Sequence, residues 1–316
     1  MLILSVDTGN KMIKTENLEF HSGLDILDQM PGEKEEVIQY EGKYYLVSND
    51  RIAYMEDKTE DNRYFILTLI AIAKELERLK QQEAEPLIPN GLIEIELLVG
   101  LPPVHYGKLR SAFKQYFFRD GQMIDFTYMG IPYKIAFSNV KVYIQAYAAY
   151  VLLAGKQRLS AYPKVLLIDI GGITVDYMVL RLGSIDWNLV DSLEEGVVRF
   201  YRKVKAGVRK KYSILLEESD IDNIILKKET PYEKELIERV NEIAREYVTE
   251  LLGIFRELGS DFRTTFTVFA GGGSILLSEF IREAWKRYQG KYVIINDSRA
   301  NAKGYKLQYL AEKNML

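Results

Sequence analysis

The chain has 316 residues, 47% hydrophobic and 28% charged, which is enough to bury a large core and favours two domains. Its formal net charge of −3 argues against direct attraction to nucleic acid or to an anionic membrane surface. The absence of cysteine excludes disulfides and thiolate metal sites, and with only His21 and His105 present we do not expect a histidine zinc site or a Ser-His-Asp hydrolase.

Strand and helix patterns alternate along the chain, which predicts an α/β protein. β-Forming runs predict strands or hairpins at 1–8, 35–49, 92–103, 121–137, 164–180, 184–196, 264–270 and 291–295. Helical spacing of apolar residues predicts helices at 61–85, 106–118, 139–155, 197–211, 232–258, 275–288 and 300–313. No apolar run of about 18 residues and no signal-peptide pattern occurs, so we expect a soluble, cytoplasmic protein.

Two segments follow one pattern of a buried strand, an aspartate, any residue, a glycine and a second strand. They are LILSVDTGNKMIK (2–14) and VLLIDIGGITVDY (165–177), and the second begins near the middle of the chain. Duplication predicts two related domains that face each other. Coincidence of a short pattern is the alternative.

The turn of each segment has the composition of a phosphate site. Glycine permits a ligand to approach the backbone, and successive amides form a concave nest that suits phosphate oxygens. Asp7 and Asp169 would be repelled by phosphate itself but suit Mg²⁺, which bridges to phosphates. Thr8 and Thr174 add hydroxyl donors, and Lys11 adds a compact positive charge. The alternative for either turn is a tight hairpin in which aspartate caps local amides.

A third glycine-rich stretch, FTVFAGGGSILLSEFI (266–281), runs from an apolar strand into Gly271, Gly272 and Gly273. We predict that these glycines let the backbone lie against a ligand, and that Ser274 opens a helix whose N-terminus favours anions. The G-x-G-x-x-G and G-x-x-x-x-G-K-[ST] motifs are absent. A flexible strand-helix connection is the alternative.

In order, these segments resemble the five motifs of the actin, Hsp70 and sugar-kinase ATPase superfamily. Phosphate-1, connect-1, phosphate-2, adenosine and connect-2 resemble VDTGNKMIK (6–14), NVKVYIQAYAAYVL (139–152), LIDIGGITVDYMV (167–179), VFAGGGSIL (268–276) and NDSRANAKGYKLQYL (296–310). The five segments span nearly the whole chain.

The resemblance implies an actin-like fold in which two related domains, each a mixed sheet flanked by helices, surround a nucleotide cleft. Domain I would cover 1–155, domain II 156–298, and 299–316 would form the connect-2 helix returning to domain I. The two connecting helices would approach closely through their small residues, which are Ala146, Ala148, Ala149, Ala300, Ala302 and Gly304.

The resemblance also assigns roles to individual residues. Gln145 would orient the water that attacks the γ-phosphate, and Asp169 would act with it in catalysis. A neutral amide aligns water but is a poor base, which fits slow hydrolysis. The remaining residues expected to bind ATP or ADP, with GTP left open, are Gly9, Asn10, Gly171, Gly172, and, for ribose and adenine, Glu195 and Lys203.

The small size and the DTGN, DIGG and ANAKGY segments are most similar to ParM-type plasmid-segregation actins and small archaeal actin-like proteins. This resemblance implies a polar filament that assembles with ATP and Mg²⁺, disassembles after hydrolysis and segregates plasmid DNA. A DNA-binding adaptor at a centromere-like site would make the DNA contact, so neither direct DNA binding nor membrane binding is expected. The alternatives are a non-polymerising actin-like scaffold and a small-molecule (sugar) kinase.

Overall fold

A computed structural model describes residues 2–31, 36–53, 55–82, 91–154, 159 and 162–315 of the chain. The chain divides into two compact units. Unit 1 consists of Met1–Leu152 with Arg299–Leu316, and unit 2 consists of Leu153–Ser298. Both units combine a mixed β-sheet with helices, which confirms the predicted α/β class. Within the described ranges, none of the helices has the length and hydropathy required to cross a bilayer.

The sheet of unit 1 has nine strands among the described residues. In chain order they are β1 (Leu2–Thr8), β2 (Met12–Lys14), β3 (Glu19–His21), β4 (Gly23–Leu27), β5 (Val37–Tyr40), β6 (Lys43–Ser48), β7 (Ile93–Leu101), β8 (Met123–Tyr128) and β9 (Ile131–Ile144). In space their order is β3-β2-β1-β7-β9-β8-β5-β6-β4. The apolar, β-branched run of β7 is buried from its third residue onward, as expected for a central parallel strand.

Four helices accompany this sheet. They are α1 (Arg63–Gln81), α2 (Pro103–Phe118), α3 (Tyr147–Ala154), which carries the chain out of unit 1, and α9 (Ala300–Glu312), with a short 3-10 helix at Arg119–Gly121. Helix α1 is buried on nearly every side from Tyr64 to Ala73, so it lies in the core and not on the surface.

Unit 2 has a five-stranded sheet and five helices among the described residues. The strands are β10 (Lys164–Ile170), β11 (Val175–Arg181), β12 (Ser184–Leu193), β13 (Phe266–Ala270) and β14 (Tyr292–Ile294). The helices are α4 (Val197–Tyr212), α5 (Glu218–Ile225), α6 (Lys234–Glu257), α7 (Gly271–Leu276) and α8 (Ser278–Trp285). Helix α5 was not predicted, although the reciprocal cap between Glu217 and Asp220 marks its start.

The two sheets share one topology, which supports the prediction of duplication. Unit 2 has the strand order β12-β11-β10-β13-β14. The first five strands of the unit 1 sheet in spatial order, β3-β2-β1-β7-β9, follow the same plan. In both units the strand that ends in aspartate pairs antiparallel with its hairpin partner and parallel with the strand on its other side. Strands β1 and β10 are therefore equivalent.

The prediction of one helix over 139–155 was wrong in its first half. Residues 139–144 belong to β9, which pairs parallel with β7 as far as Leu101↔Ile144, and the helix begins only at Tyr147. The run Val-Lys-Val-Tyr-Ile has alternating β-branched residues, and this strand preference prevails once the neighbouring strand is in place.

Helix α9 returns to unit 1 and packs closely against it. A Cβ atom on Gly304 would lie 2.1 Å from the carbonyl oxygen of Ala148, so the backbones of α9 and α3 touch there, as the small-residue pattern predicts. A Cβ atom on Gly100 of β7 would lie 2.0 Å from the hydroxyl oxygen of Tyr305. Tyr305 also stacks on Tyr143, with ring centroids 5.8 Å apart. These two glycines therefore fix the position of α9 on the sheet.

Candidate functional site

Asp7 lies at the end of β1 and is only 5% exposed. Its Oδ1 accepts hydrogen bonds from Gln145 Nε2 at 2.7 Å and from the Tyr305 hydroxyl at 3.3 Å. Its Oδ2 accepts a longer bond from Asn301 Nδ2 at 3.5 Å. These three donors compensate for the burial of the carboxylate.

Gln145 lies in the turn between β9 and α3, and not on a helix face as connect-1 implied. The backbone amide of Gln145 donates to the Leu101 carbonyl oxygen at 2.9 Å. The following residue, Ala146, has φ 60°, in the left-handed region that costs a residue with a Cβ atom about 1–2 kcal/mol. The Ala146 amide donates to Asn301 Oδ1 at 2.9 Å. The turn is therefore held by α9. Because the side-chain Nε2 of Gln145 donates to Asp7, its side-chain oxygen Oε1 can accept a hydrogen bond from a water.

The first glycine turn follows Asp7. The hydroxyl of Thr8 is buried and has no hydrogen-bond partner among the described residues. A Cβ atom on Gly9 would lie 2.6 Å from the Met12 carbonyl oxygen, so the turn requires glycine there. The carbonyl of Asn10 accepts a hydrogen bond from the Ser22 hydroxyl, and that of Lys11 accepts one from the Ser22 amide at 3.0 Å.

Lys14 was not predicted as a site residue. In the β1–β2 pairing Lys14 lies directly opposite Asp7, and residues opposite each other in an antiparallel pair project to the same face. Lys14 and Lys11 are therefore both candidates for the positive charge at this turn. The alternation of side chains along the hairpin was the signal that would have identified Lys14.

The second glycine turn follows Asp169, the penultimate residue of β10, which is 9% exposed. The turn closes through the Gly171 amide, which donates to the Thr174 carbonyl oxygen at 2.9 Å. The backbone then joins the start of α4, because the carbonyls of Gly171 and Gly172 accept from the amides of Val197 and Val198 at 3.0 and 2.9 Å. This turn is therefore braced by the helix that follows the sheet.

Gly196 was also missed by sequence reasoning. A Cβ atom on Gly196 would lie 2.4 Å from the carbonyl carbon of Ile173, and its amide donates to the Ile173 carbonyl oxygen at 2.9 Å. The signal was a glycine at the N-cap of a helix, a position where Ser, Thr, Asp or Asn is more usual. Close approach to the glycine turn explains it.

The three successive glycines form the first turn of α7, so the prediction that the helix opens at Ser274 was wrong. Gly271 has φ 84°, and a Cβ atom there would lie 2.2 Å from Asp169 Oδ1. Gly273 is packed, because its Cβ atom would meet Ile170 and Val197 at 2.5 Å. Gly272 is exposed and has no neighbour within 4 Å of its Cβ position. Steric fit within the fold therefore requires Gly271 and Gly273 but leaves Gly272 unexplained.

The Ser274 hydroxyl is buried and donates to the Ala270 carbonyl oxygen, which turns it toward its own strand-helix junction. The hydroxyl hydrogen is used by the backbone, and the oxygen keeps lone pairs that could accept a hydrogen bond from a ligand.

Glu195 and Lys203, proposed for the ribose and base, both form ion pairs. Glu195 pairs with Arg199, and its carbonyl accepts a hydrogen bond from Tyr247, whose pKa is raised by burial so that the hydroxyl stays protonated. Lys203 lies two turns further along α4 and pairs with Glu250 of α6. The structure thus places Glu195 beside the second glycine turn and Lys203 away from it.

Mg²⁺ is the cation that the sequence predicts for the carboxylates of Asp7 and Asp169. Within the described ranges, no group of three or more His, Cys, Asp or Glu side chains is arranged to hold a metal ion. Mg²⁺ is usually held by one or two carboxylates together with phosphate oxygens and waters. Asp7 in unit 1 and Asp169 in unit 2 are each a single carboxylate beside a glycine turn, which fits one protein ligand of such a site and does not fit an all-protein metal site.

Two family descriptions match the sequence. Residues 5–147 match "Actin like proteins N terminal domain" and residues 167–283 match "Archaeal actin homologue MreB-like, C-terminal". Together these matches cover most of the chain and include both aspartate–glycine turns. The chain belongs to the actin-like proteins, which confirms the superfamily inferred from the five motifs.

Solved structures agree with this membership. Ta0583, an archaeal actin homologue, superposes with a TM-score of 0.78 at 18% identity, covering 99% of this chain and 100% of that one. The pSK41 ParM protein, solved without nucleotide, gives 0.70 at 14% identity over 99% and 98%. AlfA from the B. subtilis plasmid pLS32, solved as a filament, gives 0.62 at 15% identity over 98% and 99%. At these identities the likeness establishes the actin-like fold, and no curated protein sequence matches the chain.

The Tyr305 hydroxyl is expected to stabilise the fold through its hydrogen bond to Asp7. The change Tyr305→Phe keeps the ring stacked on Tyr143 and removes one donor to the carboxylate, so the free energy of unfolding should fall by about 1–2 kcal/mol. Urea unfolding followed by circular dichroism measures this. Tyr309→Phe is the control, since Tyr309 is a buried tyrosine one turn further along the same helix. Equal losses in the two variants would contradict the assignment.

Proposed function

We propose that this protein binds ATP with Mg²⁺, polymerises into a polar filament and disassembles after slow hydrolysis. One observation carries the proposal. Equivalent strands of the two units, β1 and β10, both end in a buried aspartate followed by a glycine turn. A duplicated pair of such turns suits a nucleoside triphosphate with a bound cation, because its charge is spread over several phosphates.

Nucleotide binding is supported by the state of the glycines. Packing does not require a glycine at position 272, where a Cβ atom would have no neighbour within 4 Å. An exposed backbone without a side chain lets a ligand approach closely. The archaeal homologue Ta0583 has also been solved in complex with ADP, with a TM-score of 0.72 at 16% identity. We propose that Thr8, Gly9, Asn10, Lys11, Gly171, Gly172, Thr174 and the glycines of α7 contribute to binding ATP, with GTP as the nucleotide to compare.

Hydrolysis would depend on Asp7, Asp169 and Gln145. Mg²⁺, when bound, supplies charge neutralisation at the phosphates, and the two aspartates would hold it directly or through water. Gln145 is fixed by its bond to Asp7, and its carbonyl oxygen can orient a water. An amide is a poor base, so turnover should be slow, as suits an assembly switch.

Filament assembly is supported by the relatives, since AlfA was solved as a filament at a TM-score of 0.62. An open filament needs a heterologous, head-to-tail interface that does not close into a ring. The similarity to the pSK41 ParM protein supports a role in plasmid DNA segregation. The net charge of −3 favours contact with DNA through a basic adaptor protein and not directly.

Right-angle light scattering tests the function. Purified protein with ATP and Mg²⁺ should show a rise above a critical concentration, which ADP does not sustain, and GTP is measured in parallel. Asp169→Ala should abolish phosphate release, whereas Asp191→Ala, an exposed aspartate of the same sheet, should not.

Soluble monomer at every concentration, with ATP still bound, would contradict the filament and favour the scaffold. Transfer of phosphate to an added sugar would favour the kinase. Unchanged phosphate release by the Asp169→Ala variant would contradict its assignment.

Gly272→Ala tests whether the open glycine serves a ligand. Because alanine has the higher helix propensity, the change should leave stability equal or raise it by about 0.5–1 kcal/mol. It should weaken ATP binding about tenfold or more, since a methyl group then occupies the ligand's side of the backbone. Calorimetric titration measures the affinity and thermal unfolding the stability.

Gly253→Ala on α6 is the matched control, since that helical glycine also has no neighbour within 4 Å. It should leave the ATP affinity unchanged. Full ATP affinity in the Gly272→Ala variant would remove Gly272 from the proposed site.

A further inference from the structure

Lys58 is a buried lysine outside all five motifs, in the segment between β6 and α1. It is 7% exposed, and its ammonium group donates a hydrogen bond to the carbonyl oxygen of Thr8 in the first glycine turn. Lysine is almost never buried without partners, because removing an ammonium from water costs several kcal/mol. A lysine in this position therefore needs a reason beyond packing.

We infer that Lys58 is a positioning residue for the phosphates at the first turn. Its ammonium group bonds to the Thr8 carbonyl and supplies a fixed positive charge. The inference rests on the proposed nucleotide binding and adds to it a residue that no motif contains.

The surroundings of Lys58 hold the turn at more than one point. Its ammonium lies 5.0 Å from the centre of the Tyr64 ring, at a distance where the ring face stabilises a cation. The Tyr64 hydroxyl in turn donates to the Asn10 side-chain oxygen. Ser22, which is buried, bonds to the carbonyls of Asn10 and Lys11. Lys58, Tyr64 and Ser22 together hold Thr8, Asn10 and Lys11, and these three residues are all in the proposed phosphate turn.

The charge of Lys58 has a consequence for anion binding. Its bond to Thr8 directs that carbonyl, and hence the negative end of the peptide dipole, toward the ammonium. A buried charge is screened less than an exposed one, so Lys58 acts on the turn more strongly than a surface lysine would. The Thr8 hydroxyl, buried without a partner among the described residues, remains as a donor at the same turn.

A purely structural lysine would need its hydrogen bond but not its charge, and substitutions separate the two roles. Lys58→Met removes both. Lys58→Gln keeps an amide donor for the Thr8 carbonyl and removes the charge. Lys58→Arg keeps charge and donors. Lys74→Met is the control, because Lys74 is a partly buried lysine of the same unit that lies over Phe20 and Tyr128 and pairs with Glu36.

The experiment measures the affinities of the full chain for ATP and for adenosine by calorimetric titration with Mg²⁺, and thermal unfolding of each variant. Lys58→Met and Lys58→Gln should each weaken ATP about tenfold and leave adenosine within about twofold, because only the phosphates respond to the charge. Lys58→Arg should restore ATP to within about threefold, and Lys74→Met should bind as the wild type does.

Three outcomes would overturn the inference. The first is an unchanged ATP affinity in the Lys58→Gln variant, which would leave Lys58 as a structural donor only. The second is a parallel loss of ATP and adenosine, and the third an equal loss in the Lys74→Met variant. If Lys58→Met does not fold, Lys58→Gln carries the test because its amide keeps the bond to Thr8. A wild-type protein that binds no ATP would instead contradict the proposed function.

Discussion

Strand β1 of unit 1 and strand β10 of unit 2 each bury an aspartate next to their last residue, and this constraint organises the structure around it. Asp7 is 5% exposed and Asp169 is 9% exposed. Burying a carboxylate is costly unless hydrogen-bond donors or cations compensate. Unit 1 compensates with donors from the β9–α3 turn, near the middle of the chain, and from α9, near its C-terminal end. The return of the last helix to the first unit is therefore tied to the burial of Asp7.

The same hydrogen bonds connect Asp7 to the β9–α3 turn and to α9. Gln145 and Tyr305 both donate to one oxygen of Asp7, and Asn301 links the other oxygen to the strained Ala146 backbone. A cation that bound Asp7 would compete with these donors, so binding there would alter the β9–α3 turn and α9 together. This provides a physical route by which the state of the site changes the position of a helix.

Most of the fold could be predicted from the sequence because its signals are local. Short sequence patterns predict the buried strands, the long helices and the two aspartate–glycine turns. The repetition of these patterns agrees with the strand order that the two sheets share. The error at 139–144 arose because small and apolar residues also suit a helix, and only pairing with β7 decides for a strand. The error at Ser274 arose because glycine disfavours helix, whereas packing of Gly273 against Ile170 and Val197 imposes one.

The parts of the site that sequence reasoning missed depend on contacts between distant segments. Tyr305 and Asn301 lie 298 and 294 residues from Asp7, and Lys58 lies 50 residues from Thr8. No local pattern marks such pairs. Gly196 is explained only by the nearby Ile173 backbone. Lys14 was accessible in principle, since strand alternation places it opposite Asp7.

The proposal that Asp7 and Asp169 serve one metal-bound nucleotide can be examined with a double-mutant cycle. The Mg²⁺-dependent affinity for ATP is measured for the wild type, Asp7→Asn, Asp169→Asn and the double variant. If both carboxylates act on the same bound ion, each single change should remove most of the Mg²⁺ dependence, and the double change should cost less than the sum of the two. Strictly additive losses, or Mg²⁺ dependence that survives both changes, would contradict the account.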